Sequence, residues 1–211
     1  MNRKLRQLIH REEFDYQVLL FALSRYASPN DKITRLLKNG DIIRVKKGLY
    51  VLGEHERRRP IVLEFLANLI YGPSFISGLY ALGYYGLIPE RSQIVTSVCL
   101  GRSKEFETPV GPFTYTHSAD MSTGFTRISA GDSGFLMALP ERALADILKH
   151  DRLGNISSIM EMEQFLLENL RVDEQKLFSM DAALLETLST KLRSRKTAIA
   201  GRLVRKGSKK K

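Results

Sequence analysis

Apolar positions recur along this chain first at helical spacing, then at strand spacing, then at helical spacing again. Leu5, Leu8 and Ile9 give residues 3 to 12 one apolar face. Val18, Leu19, Phe21, Ala22 and Leu23 make Tyr16 to Arg25 apolar nearly all round, the pattern of a buried scaffold helix. The next stretch is better specified. Ser28 suits a helix N-cap, Pro29 the first helical position, and Asp31 the acidic end of a capping box. Ile33, Leu36 and Leu37 then line one face while Lys32, Thr34, Arg35 and Lys38 point elsewhere, and Gly40 supplies a left-handed stop. From Ile42 to Leu52 the residues turn β-branched and aromatic around Lys46-Lys47-Gly48, the chemistry of a hairpin. A basic helix followed by a basic-tipped hairpin predicts a winged helix-turn-helix over residues 1 to 56.

The charged, proline-closed stretch Glu54 to Pro60 is expected to be a linker. Residues 61 to 71 predict a helix with Glu64 and Asn68 one turn apart on its polar side, stopped by Gly72-Pro73. Gly78, Gly83 and Gly86 lack the spacing of a dinucleotide fingerprint, so close helix packing is expected of them. Strands are expected at Ile94 to Leu100, Phe113 to His117, Phe125 to Ser129 and Gly134 to Leu139, forming a small antiparallel or mixed sheet. Helices follow at 140 to 149, Ile159 to Leu170 and Ala182 to Leu192. The predicted fold class is α+β: the winged helix-turn-helix, a second mixed α/β domain over 60 to 190 with a small sheet and C-terminal helices, and a basic tail over 191 to 211, disordered beyond Val204.

Charge sharpens this division. Residues 1 to 59 hold fourteen lysines and arginines against seven acids; residues 191 to 211 hold ten and no acid, and the stretch between them is net −7 within a chain total of +10. Both ends suit a polyanion. A single cysteine, Cys99, rules out an internal disulfide framework, fits a core position, and with the absence of a membrane-length apolar run leads to a cytoplasmic, non-membrane expectation.

Catalytic signatures are weak. Gly131-Asp132-Ser133-Gly134 copies part of a serine-protease nucleophile motif, with His117 and Asp120 upstream, but Phe135 breaks it and glycine with aspartate is ordinary turn chemistry. His10, His55, His117 and His150 show no ligand spacing, so no metal or cofactor is implied and no enzyme is expected; Ser74, Ser77 and Glu90 qualify as pocket residues by position alone.

An ordered set of short stretches carries a family resemblance: Ile43 to Tyr50, Ser74 to Glu90, Thr96-Ser97-Val98, Phe106 to Tyr115, His117, and Pro140 to Asp146. Together they resemble the abortive-infection antitoxins of the AbiE type over about residues 14 to 150. The resemblance implies an N-terminal winged helix, repression of the chain's own operon through double-stranded DNA, and a second domain that counteracts a nucleotidyltransferase-like toxin without a stable complex with it. Two other classes stay open: a DNA-binding regulator whose second domain senses a ligand or protein, and an enzyme acting through residues 74 to 146.

On the DNA-binding reading, Lys32, Thr34, Arg35 and Lys38 face the major groove and Arg44, Lys46 and Lys47 touch phosphate. Arg35 is the candidate for reading a guanine, although Asp31 stands at i−4 to hold it on the helix surface instead. In the tail, Lys191, Arg193, Arg195, Lys196, Arg202, Arg205 and Lys206, with Lys209, Lys210 and Lys211, are candidates for sequence-independent phosphate contacts. Leu192, Ile199 and Leu203 offer that region a helical seam; an RNA contact or a solubility tail are the alternatives.

Overall fold

The computed structural model describes residues 3–131, 133–150 and 156–208 and is mixed α+β, with one three-stranded and one six-stranded sheet. Among the positions raised above, Asp132, Lys209, Lys210 and Lys211 lie outside the described residues, as do the side chains of Leu5 and Ser133. The first body runs α1 (Arg3–Leu8), β1 (Glu13–Asp15), α2 (Tyr16–Ala22), α3 (Pro29–Lys38), β2 (Ile42–Lys46) and β3 (Leu49–Leu52). Asp15 caps α2 by accepting from the Val18 N–H at 2.8 Å. Ser28 does stand at the α3 N-cap but makes no side-chain bond there, so the expected capping box is absent and Pro29 with Asp31 specifies the start. Gly40, at φ +73°, ends α3 as its sequence predicts.

The scaffold helix differs from expectation. It stops at Ala22, and although Leu19 and Ala22 are buried, Val18 is 41% and Phe21 76% exposed. The small core of this body (Ile9, Phe14, Leu19, Leu23, Ile33, Leu36) reaches only one side of α2. Strand β1 has no sequence signature, because Glu13-Phe-Asp15 has only one apolar residue; it pairs antiparallel with β3 and makes the hairpin a three-stranded sheet, β1-β3-β2.

The second body contains α4 (Leu63–Ile70), β4 (Ser74–Ile76), α5 (Gly78–Tyr84), β5 (Val95–Cys99), β6 (Lys104–Thr108), β7 (Gly111–His117), β8 (Phe125–Ala130) and β9 (Ser133–Ala138). It ends with α6 (Pro140–His150), α7 (Ile159–Gln164), α8 (Glu174–Phe178), α9 (Ala182–Lys191) and α10 (Arg195–Ser208). The sheet order is β6-β7-β5-β4-β9-β8, with β5–β7 and β4–β9 parallel. The sheet is therefore larger than predicted. Strand β4 is short and serine-flanked, and β6 is a charged edge strand, so neither carries a clear apolar alternation.

Pairing register separates the two sheet faces. Ser97 lies opposite Tyr115, whose hydroxyl donates to Ala67 O of α4 at 2.6 Å; Val98 lies opposite Phe75, whose ring carries the Arg142 guanidinium of α6 at 5.0 Å. Successive residues of β5 point to opposite faces, so α4 and α6 cover opposite sides. The C-terminal helices belong with α6: α10 packs on α6, α7, α8 and α9. Far from being a disordered tail beyond Val204, α10 runs to Ser208 with Ile199, Leu203 and Val204 buried.

Strand β3 joins the bodies. Tyr50 and Leu52 face the small core while Leu49 and Val51, with Val45, enter the large one beside Leu66 and Ile70 of α4. Residues 54 to 60 are correspondingly not a free linker. A 3-10 turn at Glu54–Glu56 leads to Arg59, which pairs with the buried Glu13 at 3.0 Å, and Glu13 also accepts the Val62 N–H at 2.9 Å.

Candidate nucleic-acid interface

Helix α3 buries Ile33 and Leu36 against the small core, which turns the opposite side of the helix to solvent. Thr34, Arg35 and Lys38 are exposed there, in company with Asp31. No ion pair joins Asp31 to Arg35 among the described residues, so the guanidinium is not held on its own helix. The Thr34 hydroxyl donates to Asn30 O at 3.0 Å. Lys32 departs from expectation: it sits on the flank of the helix, half-buried, with its ammonium 5.5 Å from the Tyr26 ring centroid.

The hairpin supplies fewer outward cations than its sequence promised. Arg44 is exposed, and its register opposite Tyr50 puts it on the sheet face that packs on α3. Lys47 at the tip is exposed as well. Lys46 is turned the other way, after a bulge between Arg44 and Lys46, and donates to Ile70 O at the end of α4. Burial lowers its ammonium from the ordinary lysine range. It is a strut between the bodies, not a phosphate contact.

The C-terminal cations form a different surface. Lys191 bonds the Ser122 and Thr123 hydroxyls and approaches Asp120 at 3.9 Å. Arg205 pairs with Glu186 at 2.6 Å. Arg193 is exposed in the turn before α10, and Arg195, Arg202 and Lys206 recur along one exposed stripe of that helix, with Lys196 half-buried beside them. The α10 stripe thus belongs to the α6 side of the large sheet, whereas the first body abuts α4 on the other side.

A buried polar constellation around Arg142 escapes sequence reading. Arg142 is fully buried and all five of its N–H donors are met: Nε by Asp146 at 3.0 Å, Nη1 by Asp120 Oδ2 at 3.1 Å and Thr123 O at 2.9 Å, Nη2 by Ser118 Oγ at 2.8 Å and Asp120 O at 2.7 Å. Asp146 also accepts from Ser77 at 2.6 Å. Burial pushes Asp146 up, against Arg142 and Ser77; burial also acts to raise Asp120, but the Ser122 hydroxyl and N–H, Thr123 and Arg142 together hold it below its usual range. This knot around the fully buried guanidinium ties the 118–124 loop to α6.

The other pocket candidates separate. Ser74 is buried with its hydroxyl unpartnered, Glu90 pairs with Arg171 at 2.7 Å on the surface, and His117 faces the Leu100 and Gly101 carbonyls. A cleft of about 320 Å³ lies instead between Glu64, Tyr80, Gly83, Tyr84, Arg91 and Ser92, with Tyr80 donating to Glu64 at 2.7 Å. Burial and that carboxylate push the Tyr80 phenol well above its ordinary value. Cys99 is a buried core thiol, raised by burial, as its apolar neighbours predict. Among the described residues no helix is long and apolar enough to cross a membrane. No protein-family model matches this chain, and a search of curated proteins finds no significant match.

Proposed function

We propose that this chain is a cytoplasmic DNA-binding autorepressor and antitoxin: the first body binds operator duplex, and the second counteracts a nucleotidyltransferase-like toxin without a stable complex with it. One observation carries the DNA half. The exposed face of α3 presents Thr34, Arg35 and Lys38, while Ile33 and Leu36 anchor the opposite face, which is the division of labour a groove-reading helix needs. The antitoxin half rests on the ordered resemblance between residues 14 and 150. A gel-shift panel on DNA upstream of the chain's own gene, at fixed salt, tests the first half. Arg35→Ala is expected to lose about 1 to 3 kcal/mol of preference among sequences; unchanged preference removes Arg35 as the base reader. The second half is tested by co-expressing the full chain with an adjacent nucleotidyltransferase-like gene product: rescue of growth supports it, and continued arrest overturns it. The cleft at Glu64, Tyr80 and Arg91 favours a second reading, a DNA-binding regulator whose second body senses a small ligand.

A further inference from the structure

The base of the hairpin, at the end away from its tip, brings together three side chains from two separate segments. Asp41 immediately precedes β2, and His55 and Glu56 lie in the 3-10 turn after β3. Their ligand atoms all lie within 4.8 Å of one another, His55 Nε2 being 3.1 Å from Asp41 Oδ1 and 4.0 Å from Glu56 Oε1. We propose that Asp41, His55 and Glu56 form a binding site for one divalent transition-metal ion of the zinc class.

Charge argues for it. The Asp41 and Glu56 side chains are only 16% and 13% exposed, and among the described residues neither pairs with a lysine or arginine. Two carboxylates this close repel in a partly desolvated setting. A divalent cation offsets both charges at once.

The geometry agrees. Zinc holds nitrogen and oxygen donors at about 2.0 to 2.2 Å, so neighbouring donors of a tetrahedral site stand about 3.4 Å apart. The Asp41–His55 edge, at 3.1 Å, is already close to that, and the His55–Glu56 edge, at 4.0 Å, needs to shorten by about 0.6 Å. The backbone beneath is fixed. Gly53 N donates to Asp41 O at 2.8 Å, Asp41 N to Leu36 O at 2.9 Å, and Glu56 N to Gly53 O at 2.9 Å. Gly53 is required at this crossing, because a Cβ there would collide with Gly40 O. One imidazole with two carboxylates suits zinc, cobalt or nickel better than calcium or magnesium, which demand more oxygen donors. Three protein ligands, with the His55 ring 56% exposed, leave the fourth position to water. The ion would clip the C-terminal end of α3 to the segment leading into α4.

The test uses the full chain stripped by a chelator, titrated with Zn²⁺ by calorimetry and with Co²⁺ by absorption. One ion per chain is expected, with a low-symmetry Co²⁺ ligand-field spectrum and a rise in melting temperature on adding Zn²⁺. His55→Ala should weaken Zn²⁺ binding by more than the roughly 10- to 100-fold that loss of an outer partner costs, and should abolish the thermal shift. Asp41→Asn should do the same, whereas His10→Ala, at an exposed histidine elsewhere, should leave both intact. The His55 ring is exposed enough for its alanine variant to fold, so that variant decides the question if Asp41→Asn does not. Zn²⁺ affinity in His55→Ala equal to that of the unaltered chain, or a Co²⁺ spectrum no different from the aqueous ion, overturns the site.

Discussion

A buried arginine is a liability unless every donor is met, and Arg142 meets all five. Removing it strands Asp146 and Asp120 together. Arg142→Ala should therefore cost about 3 to 5 kcal/mol in urea unfolding, and Arg142→Lys should recover little, because one ammonium cannot reach acceptors on four separate residues. A loss below about 1 kcal/mol would mean that water replaces the guanidinium and that the knot is not structural. Asp120 adds a pH dependence whose sign follows from its lowered value: its contribution is complete above the ordinary aspartate value of 3.8 and is lost as pH falls through the lower folded value. The stability gap between the unaltered chain and Asp120→Asn should accordingly close only below about pH 3.8 in acid titrations of thermal stability. Asp146, raised by burial, has the opposite sign, but it is present in both proteins. In the sequence Arg142 is simply one polar position of an amphipathic helix. Its partners lie 19 to 24 residues upstream and four downstream, and nothing local marks that convergence.

At the scale of the element, α3 is the most legible, because proline, glycine and an i, i+3, i+4 apolar triad act within a single turn or two. The hairpin is legible too, down to Gly48 at φ +84° in its turn. Which of its lysines faces outward is not, since a bulge after Arg44 shifts the alternation. Lys46 and Lys47 should therefore separate experimentally. Lys47→Ala should flatten the slope of log affinity against log salt on duplex DNA by about 0.9, and Lys46→Ala should leave it unchanged while costing about 1 kcal/mol of stability through the lost bond to Ile70 O. Equal slopes for the two variants would contradict the observed orientation of the tip. For α10, the buried seam of Ile199 and Leu203 is visible in the sequence, yet the helix runs past Val204, where Gly207 lets it close on Phe178. Composition alone reads this lysine- and arginine-rich stretch as a tail; the apolar stripe within it makes it a core helix.

The whole molecule is decided by β3, whose alternate residues serve two cores. A fragment ending at Arg59 would expose Leu49 and Val51, now 5% and 0% exposed, so it should unfold or self-associate where the full chain melts in a single transition. Two separated transitions in calorimetry of the full chain would show that the shared strand does not couple the bodies. If the chain binds duplex DNA through α3, the same layering predicts that Arg195→Gln, Arg202→Gln and Lys206→Gln combined change the salt slope by less than about 1, whereas three phosphate contacts would flatten it by about 2.7. The larger figure would mean that DNA wraps round to the α6 side. By itself the sequence determined the α+β class, the α3 helix with its hairpin, the order of helices and most strands, and the concentration of charge at the two ends. These follow from local periodicity, turn chemistry and composition, which act over a few residues. Only the tertiary structure decided that the hairpin sheet is a wall between two cores, that Lys46 turns inward, that α10 packs on the α6 side of the large sheet, and that Asp41 meets His55 and Glu56. Each of these depends on pairing register or on packing between residues distant along the chain, and the energy that fixes them is burial shared by both partners, which neither segment carries alone.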